Sequence, residues 1–334
     1  MDFLPVVSST PSAAAVADFV STHYDLTGSI ACRLLSRGWN DIFEVRTGGE
    51  ARFIFRISKR RARGEADVAS ETAFLAYLDA AGIPVAAAVP MRDGALFTST
   101  PFPEGRRPAV LFHYAEGRPS QARGSAADAR ANGATLARIH DAAGGFDAGD
   151  RGSYRLDSDH LLRRPLSWIL AMDDLSDAVR TGLADLTERL CVALAERDGL
   201  SWARCHGDCH GYNAHIALQG PRAGQAVFFD FDESGPGYLA YDLAVFLWTC
   251  ILFERKDHAF WHAFIKGYRA TREISHADLE AVHLFVSIRH MWLMGEYASR
   301  LDEWGRQAVP ADWIAAQLDF LLSWEKEKLA PRLL

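Results

Sequence analysis

The spacing of apolar residues in the first third of the chain changes between the period of a helix and that of a strand. Thr10 followed by Pro11 is typical of a helix start, with the threonine as cap and the proline at the first helical position. Further along, apolar residues recur at helical spacing over 66–82. Three β-rich runs lie between these two helices: 29–37, 41–47 and 51–58. We therefore predict a short leading helix, an antiparallel meander with a hairpin at Gly48-Gly49, and one main helix.

Two further β-rich runs, 94–100 and 108–117, are predicted to complete the sheet. The stretch 116–125 is rich in glycine, proline, serine and arginine, and we interpret it as a surface connector. These features place a boundary between two parts of the chain near Ala115.

Beyond this boundary the pattern is helical, apart from short apolar runs at 215–218 and 225–231. The predicted helices are 126–143, about 160–199, 239–253, 257–270, 276–300 and 310–329. The pattern predicts an α+β fold. Residues 1–115 form a small antiparallel sheet with one main helix, and residues 116–334 form a larger, mostly helical part.

Charge is divided unevenly between the two parts. Residues 1–115 hold 12 acidic and 12 basic side chains, whereas 116–334 hold 31 acidic and 24 basic ones, so the second part carries the whole net charge of -7. A nucleic-acid-binding protein needs a basic surface, and we interpret the basic run 59–63 as a solvated loop. The balance argues against a nucleic-acid partner and favours a neutral or cationic substrate.

Composition predicts a globular protein of a reducing compartment. The chain has 334 residues, of which 49% are hydrophobic, enough for a substantial core. No apolar run reaches the roughly 20 residues that cross a membrane, and the first residues lack the basic region of a secretory signal. The five cysteines are odd in number and scattered, which does not indicate a disulfide framework. We expect a cytoplasmic protein without a membrane partner.

The segment HGDCHGYNAH, residues 206–215, concentrates residue types that carry chemistry. Cys205, Cys209, His210 and His215 are candidate zinc ligands, but no second cysteine and histidine cluster closes a site of the usual spacing. A cysteine nucleophile requires a base and an orienting group. Neither of these two hypotheses is favoured, and Cys209 and His210 are assigned no chemistry.

Spacing supports a third interpretation of this segment. Asp208 and Asn213 have the D-x-x-x-x-N arrangement of a kinase catalytic loop, in which the aspartate accepts the hydroxyl proton and the asparagine holds magnesium. Asp230 follows in the apolar run VFFDFDESG. Phosphoryl transfer from ATP spreads negative charge over the γ-phosphate oxygens, so oxygen ligands must hold magnesium near the carboxylate that orients the nucleophile. The two motifs together predict such a site.

The segments HGDCHGYN and VFFDFDESGPGYLAYDLAVFLW resemble the aminoglycoside phosphotransferase-like superfamily, which includes choline kinases and bacterial homoserine kinases. The loop is also similar to the HGDCH-x-x-N loop of the bacterial stress-response kinase. The resemblance implies a bilobal, protein kinase-like fold that uses ATP and Mg²⁺. It implies Asp208 as catalytic base, Asn213 and Asp230 as magnesium ligands, and His206 as the residue that braces the loop. Asp242 resembles the structural aspartate that holds the catalytic loop by hydrogen bonds.

The resemblance further implies that residues 1–115 bind the nucleotide. The turn around Trp39 and Asn40 takes the place of the phosphate-covering loop, where backbone amides at 39–41 face phosphate oxygens. The strand 108–117 resembles the hinge, in which backbone groups near Phe112 and Tyr114 pair with the adenine edge.

Arg56 on the third strand takes the place of the kinase lysine that binds the α- and β-phosphates. Arginine is able to pair with both phosphate and carboxylate. Glu71 on the main helix is the expected partner of Arg56, and Glu65 is its rival. Because Arg56 and a turn with the single glycine Gly38 depart from the kinase pattern, a non-catalytic nucleotide-binding module is a second functional hypothesis.

Arg289, His290, Trp292 and Glu296 fall within two turns of a predicted helix and are candidate acceptor-site residues by position. The segment 155–199 is a further candidate for shaping the acceptor pocket. We predict an ATP- and Mg²⁺-dependent phosphotransferase acting on a small-molecule hydroxyl, with an aminoglycoside, choline or homoserine-like acceptor. A Ser/Thr protein kinase similar to the stress-response kinase is its nearest rival, and a zinc protein is the least favoured hypothesis.

Overall fold

The computed structural model describes residues 4–49, 51–59, 64–120, 124–149, 154–252 and 258–329. The strands, in chain order, are β1 (Ile30–Arg37), β2 (Asn40–Thr47), β3 (Arg52–Ser58), β4 (Thr98–Phe102), β5 (Gly105–His113), β6 (Arg118–Pro119), β7 (Trp202–Cys205), β8 (Ala214–Ile216), β9 (Ala226–Phe228) and β10 (Gly235–Tyr238). The helices are α1 (Ala13–His23), α2 (Glu65–Ala80), α3 (Ala126–Ala143), α4 (Arg164–Leu170), α5 (Asp177–Ala195), α6 (Leu239–Leu252), α7 (His258–Arg269), α8 (His276–Ala298), α9 (Leu301–Trp304) and α10 (Ala311–Trp324). A π-helical turn, Asp159–Arg163, leads into α4, and another, Glu325–Leu329, follows α10.

The chain packs into two compact units. The first comprises Met1–Pro119, Gly145–Ser153 and Asn213–Asp232, and the second comprises Ser120–Gly144, Tyr154–Tyr212 and Glu233–Leu334. This division differs from a single boundary near Ala115. The segment 213–232 joins the first unit because β8 pairs with both β6 and β9, and because Phe228 at the end of β9 exchanges backbone hydrogen bonds with residues 84 and 86.

The first unit is built on a five-stranded antiparallel sheet of order β1-β2-β3-β5-β4. The alternation of β2 and β3 sends Phe43 and Phe55 to one face, where they form a core with Val16 and Val20 of α1. Mostly helical structure follows in the second unit. The predicted α+β class is therefore confirmed.

Helix α1 begins two residues later than Thr10-Pro11 predicts. Ser12 is the cap, because its side chain accepts a hydrogen bond from the amide of Ala15 at 3.2 Å. The hydroxyl of Thr10 instead donates to Asp41 Oδ1 at 3.1 Å. Thr10 therefore fastens the chain entering α1 to β2.

Two segments that the sequence predicts as loops have a different structure in part. Lys59 is buried, so the prediction of a solvated loop over 59–63 is wrong for its first residue, and 60–63 lie outside the described residues. The connector 116–125 contains β6, which pairs with β8, so part of it is sheet. Residues 121–123 lie outside the described ranges.

In the second unit, α3 and α7 approach closely through glycine. A Cβ built on Gly133 would lie 2.0 Å from the carbonyl oxygen of Phe264, and one on Gly267 would lie 2.0 Å from that of Arg130. A methyl group at either position would force the helices apart. Helix α3 spans the predicted residues 126–143.

The single helix predicted over 160–199 is wrong. The chain leaves α4 after Leu170 and starts α5 afresh, with the Ser176 side chain capping the amide of Val179. Helical apolar spacing continues across the break between α4 and α5, so the sequence pattern does not indicate it. Strands β7 and β10 were also not predicted, because neither has a run of β-branched or aromatic residues. None of the helices in the described ranges combines the length and apolar character needed to cross a bilayer.

Candidate active site

A cavity of about 390 Å³ lies within the first unit, on one face of its sheet. Ile54 is opposite Phe112 and Ile42 is opposite Arg56 in the strand register, so these side chains project from the same face. Phe229 adds an aromatic wall, and Arg56 and Asp230 are also in the lining. An apolar cavity with charged groups in its wall suits a flat ring that carries an anionic chain.

Arg56 and Glu71 form a buried, bidentate ion pair. Nη1 and Nη2 of Arg56 donate to the two carboxylate oxygens of Glu71 at 2.8 and 2.5 Å, and both side chains are 3% exposed. Burial alone would lower the pKa of the Arg56 guanidinium, but Glu71, Asp232 and Asp230 raise it above its ordinary value. Arg56 is therefore a fixed cation. Glu65 is exposed at the start of α2, so Glu71 is the partner.

Asn213 directly precedes β8 and Asp230 follows β9, so both lie at the same end of the β8–β9 ladder. The amide of Phe229 donates to the carbonyl of Asn213 at 3.1 Å, one residue before Asp230. Asp230 has φ of +64°, the only positive φ of a non-glycine residue in the described ranges, and its side chain is 41% exposed beside Arg56. This strained turn aims a carboxylate out of the sheet. Carboxylate and amide oxygens are the ligands that Mg²⁺ prefers.

The turn between β1 and β2 has a partner that the sequence did not indicate. Trp39 lies in the turn, and Asn40 is the first residue of β2. The amide Nδ2 of Asn40 donates to Asp232 Oδ2 at 2.9 Å, across 192 residues. Asp41 is buried in an ion pair with Arg107 at 2.8 Å. The turn is thus anchored to the segment that contains Asp230.

The two predicted hinge residues occupy different environments. Phe112 lies inside β5, opposite Ile54, so its main chain belongs to the sheet and its ring lines the cavity. This corrects the expectation that its backbone pairs with an adenine edge. Tyr114 follows the end of β5, and its ring lies beneath the guanidinium of Arg52, at 3.7 Å.

In the second unit, Asp242 holds the backbone of the HGDCH loop. It is fully buried and accepts hydrogen bonds from the amides of His206 and Gly207 at 2.7 and 2.8 Å, and from His140 Nε2 at 3.0 Å. Gly207 has φ of +85°, and a Cβ there would lie 2.2 Å from the carbonyl oxygen of Glu233. His206 is also buried, and its Nδ1 accepts from the amide of Asp208 at 3.2 Å. These contacts hold the backbone of the loop at residues 206–208.

Asp208, in the middle of this loop, has a carboxylate that is 20% exposed. Nη2 of Arg289 on α8 donates to its Oδ1. Burial alone would raise the pKa of Asp208, but Arg289 and, to a smaller extent, His210 and His206 lower it below its ordinary value. The carboxylate is therefore ionised and oriented, as a group that receives a hydroxyl hydrogen bond must be.

His210, to which the sequence assigned no chemistry, faces the other oxygen of this carboxylate. The amide of Tyr212 donates to His210 Nδ1 at 3.2 Å, so in the neutral ring the proton resides on Nε2. Nε2 lies 3.4 Å from Asp208 Oδ2. The spacing of two residues after Asp208 is the only signal in the sequence, and it is too common to be diagnostic.

We expect His210→Ala to lower kcat about tenfold while leaving the KM for nucleotide unchanged, because an orienting contact to Asp208 is lost. His210→Gln, which retains a donor, should recover most of the rate. His276→Ala is the matched control, since His276 is exposed and contacts Glu280 at 3.3 Å. Equal loss in the alanine and glutamine variants would contradict the orienting role.

The other acceptor candidates on α8 lie in the interior of the second unit. His290 accepts from Trp248 Nε1 and contacts Gln317, both at 3.1 Å, and burial lowers its pKa to about 4. It is a neutral core residue, so an acceptor contact is not expected. Trp292 is buried against Arg289, whose guanidinium carbon is 4.4 Å from the ring centre. Glu296 is buried and pairs with Arg164 at 3.3 Å.

The cysteines of the segment do not form the zinc cage considered from the sequence. Sγ of Cys205 donates to the carbonyl of Tyr238 at 3.3 Å, and Sγ of Cys209 donates to that of Asp242 at 3.0 Å. Ligand atoms of His140, Cys205 and Asp242 lie within 4.8 Å of one another, but these groups already share a hydrogen-bond network. Burial also raises the pKa of Cys205, which favours the thiol over the ligating thiolate.

Comparison with known proteins identifies the family. The model of the phosphotransferase enzyme family matches residues 31–282. The chain belongs to this family. It is therefore a phosphotransferase, and the resemblance inferred from the two motifs is confirmed. A protein of Deinococcus radiodurans is 37% identical to this phosphotransferase over 329 residues, which cover 96% of this chain and 92% of the relative. A Synechocystis protein is 28% identical over 301 residues, covering 87% and 79%.

Solved structures share the fold of this phosphotransferase. An amicoumacin kinase, solved with AMP-PNP, Ca²⁺ and amicoumacin, aligns with a TM-score of 0.77 and 20% identity over 94% of this chain and 93% of its own. A microcompartment-associated aminopropanol kinase aligns with a TM-score of 0.77 and 22% identity over 94% and 98%. The predicted kinase-like fold is confirmed.

Proposed function

We propose that this phosphotransferase moves the γ-phosphoryl group of ATP, in the presence of Mg²⁺, to a hydroxyl group of a small molecule. The observation that carries the proposal is the Arg56–Glu71 ion pair beside Asp230, in the lining of the 390 Å³ cavity. A buried cation, an exposed carboxylate and an apolar wall together suit a purine ring and its triphosphate. The AMP-PNP bound in the amicoumacin kinase structure supports the same nucleotide class.

In this proposal Arg56 binds the phosphate oxygens, and Glu71 keeps its guanidinium fork in place. Asn213 and Asp230 hold Mg²⁺, since they lie at the same end of the β8–β9 ladder and their amide and carboxylate oxygens are of the type that Mg²⁺ prefers. The ion neutralises charge on the phosphate oxygens when bound. Asp208 accepts the hydrogen bond of the acceptor hydroxyl and receives its proton as the new O–P bond forms, while the bond between the γ-phosphorus and the β,γ-bridging oxygen breaks and ADP leaves.

ATP consumption tests the proposal. The purified chain is incubated with ATP and Mg²⁺ against aminoglycosides, choline, homoserine, amino alcohols, simple sugars and protein substrates, and ADP is measured. We expect turnover with at least one small alcohol. Label that appears only in protein would favour the Ser/Thr protein kinase. ATP binding without turnover in any arm, and no change in signal on Asp208→Asn, would favour the nucleotide-binding module.

We expect Arg56→Lys to weaken ATP binding about tenfold, because lysine keeps the charge but loses the bidentate fork. Calorimetric titration of ATP with Mg²⁺ measures the change. Arg46→Lys is the matched control, since Arg46 lies on the neighbouring strand, is 55% exposed and pairs with Glu44. Equal ATP affinity in the Arg56→Lys variant and the wild type would show that Arg56 does not contact the nucleotide.

A further inference from the structure

One face of helix α8 continues from the contact with Asp208. Arg289 and Glu296 are separated by seven residues, and Trp292 lies between them, so all three fall on one side of the helix. Helix α4 lies against this stretch, because a Cβ on Gly295 would be 2.3 Å from Pro165. Arg164 of α4 reaches Glu296, and its guanidinium also lies over the rings of Tyr154 and Trp168, at 4.7 and 4.9 Å.

Several buried N–H groups on this face have no hydrogen-bond acceptor among the described residues. Arg289 is 2% exposed and uses Nη2 on Asp208. Burial alone would lower the pKa of its guanidinium, but Asp208 and the nearby Tyr241 hydroxyl raise it. Nε and Nη1 nevertheless have no partner in hydrogen-bond geometry among the described residues. Over the same ranges, the indole Nε1 of Trp292, a residue 5% exposed, and Nε of Arg164 also lack a partner. All of these groups are donors. A buried donor left unpaired is destabilising, so a ligand that brings oxygen acceptors recovers that loss.

We propose that the acceptor of this phosphotransferase carries an anionic oxygen group, a carboxylate or a phosphate, which the unpaired N–H groups of Arg289 and Trp292 bind. The proposal rests on the proposed function, because it places the acceptor hydroxyl at Asp208. Arg289 donates to Asp208 through one nitrogen and leaves its others for the ligand, so the anionic group and the reacting hydroxyl are separated by only a few bonds. A short hydroxy acid or hydroxyalkyl phosphate meets this condition.

The acidic balance of residues 116–334 favours a neutral or cationic substrate by sequence alone, but the local contacts favour an anionic one. Glu296 is paired with Arg164, and Asp208 is paired with Arg289. The groups on this face that lack a partner among the described residues are N–H donors. They require an acceptor, and the ammonium groups of choline or an aminoglycoside cannot accept a hydrogen bond.

Binding is tested directly, without ATP, by calorimetry with L-homoserine, D-glycerate and glycerol 3-phosphate, and with ethanolamine, choline and homoserine amide as counterparts without an anion. We expect the anionic compounds to bind at least tenfold more tightly than these counterparts, and the carboxylate and phosphate arms distinguish the two anions. Tighter binding of the amino alcohols, or no binding of any anionic compound, would overturn the inference. ATP consumption confined to uncharged or cationic alcohols would overturn it while leaving the proposed function intact, whereas failure to bind ATP would refute the proposed function itself.

Trp292→Phe removes one N–H group and keeps the ring against Arg289. We expect it to raise the KM and Kd for the anionic acceptor about tenfold, with kcat and the KM for ATP unchanged. Trp248→Phe is the matched control, because the Trp248 indole N–H is already used by His290 and its ring also lies near Arg289, at 5.1 Å. An equal rise in acceptor KM in both variants, or none in Trp292→Phe, would contradict the assignment.

Discussion

Asp208→Asn should lower kcat for phosphoryl transfer about 10³-fold while leaving the affinity for ATP unchanged. The amide of asparagine still accepts the hydrogen bond from Arg289, but it does not take up the proton of an acceptor hydroxyl. In the wild type the carboxylate is kept ionised by Arg289 and by the histidines at 206 and 210. Single-turnover transfer and calorimetric titration of ATP measure the two quantities separately.

The control for this substitution is Asp319→Asn, the same chemical change at an exposed position on α10. It should leave kcat unaltered. If Asp208→Asn retained the wild-type rate, Asp208 would not be the base. If it also lost ATP binding or folded poorly, its effect on kcat would reflect the uncompensated charge of Arg289, which far-UV circular dichroism would reveal.

The second large effect is expected from Asp242→Asn, which should lower the free energy of unfolding by about 3–5 kcal/mol. The buried carboxylate satisfies two backbone amides and His140. Asparagine has one acceptor oxygen and one NH₂ group. Whichever way its amide is turned, the NH₂ group faces at least one of these donors, and neither N–H group then has an acceptor. Thermal unfolding with Asp185→Asn, an exposed position on α5, as control measures the loss.

The pH dependence of stability distinguishes a lost carboxylate from general disruption. Burial would raise the pKa of Asp242, but the hydrogen bonds it accepts lower it below its ordinary value. As the pH falls, the unfolded chain therefore takes up this proton before the folded chain does. The stability that Asp242 provides is present above about pH 4 and is lost below it. Asp242→Asn should lose less stability than the wild type between pH 7 and pH 3, and equal losses would contradict this account.

Local patterns in the sequence predicted most of the helices and the five strands of the first unit's main sheet. Helix α3 has its predicted bounds because Ser125 and Asp128 form a capping box at its start and helical apolar spacing continues to its end. Arg56 and Glu71 are only 15 residues apart, on a strand and on the helix that follows it. The family resemblance implied this pair, and the short separation of strand and helix is consistent with it.

Contacts between distant segments were not predictable in this way. Arg289 reaches Asp208 across 81 residues, and Asn40 reaches Asp232 across 192. Nothing in the local pattern of either segment specifies its partner. The break between α4 and α5 was missed for a related reason, since apolar spacing continues through it and the Ser176 cap is one of many serines. The orientation of Asp208, on which the acceptor chemistry depends, comes from packing in the second unit.

Following the γ-phosphoryl group itself shows whether this chain transfers it to a small-molecule hydroxyl. With γ-³²P-labelled ATP, Mg²⁺ and a panel of hydroxy acids, hydroxyalkyl phosphates and amino alcohols, we expect label to move to a small-molecule product whose mass is that of the acceptor plus one phosphoryl group. The transfer should be abolished by Asp208→Asn. Label that stays on ATP with every acceptor, together with no heat of ATP binding, would show that this chain does not transfer the γ-phosphoryl group of ATP to a small-molecule hydroxyl.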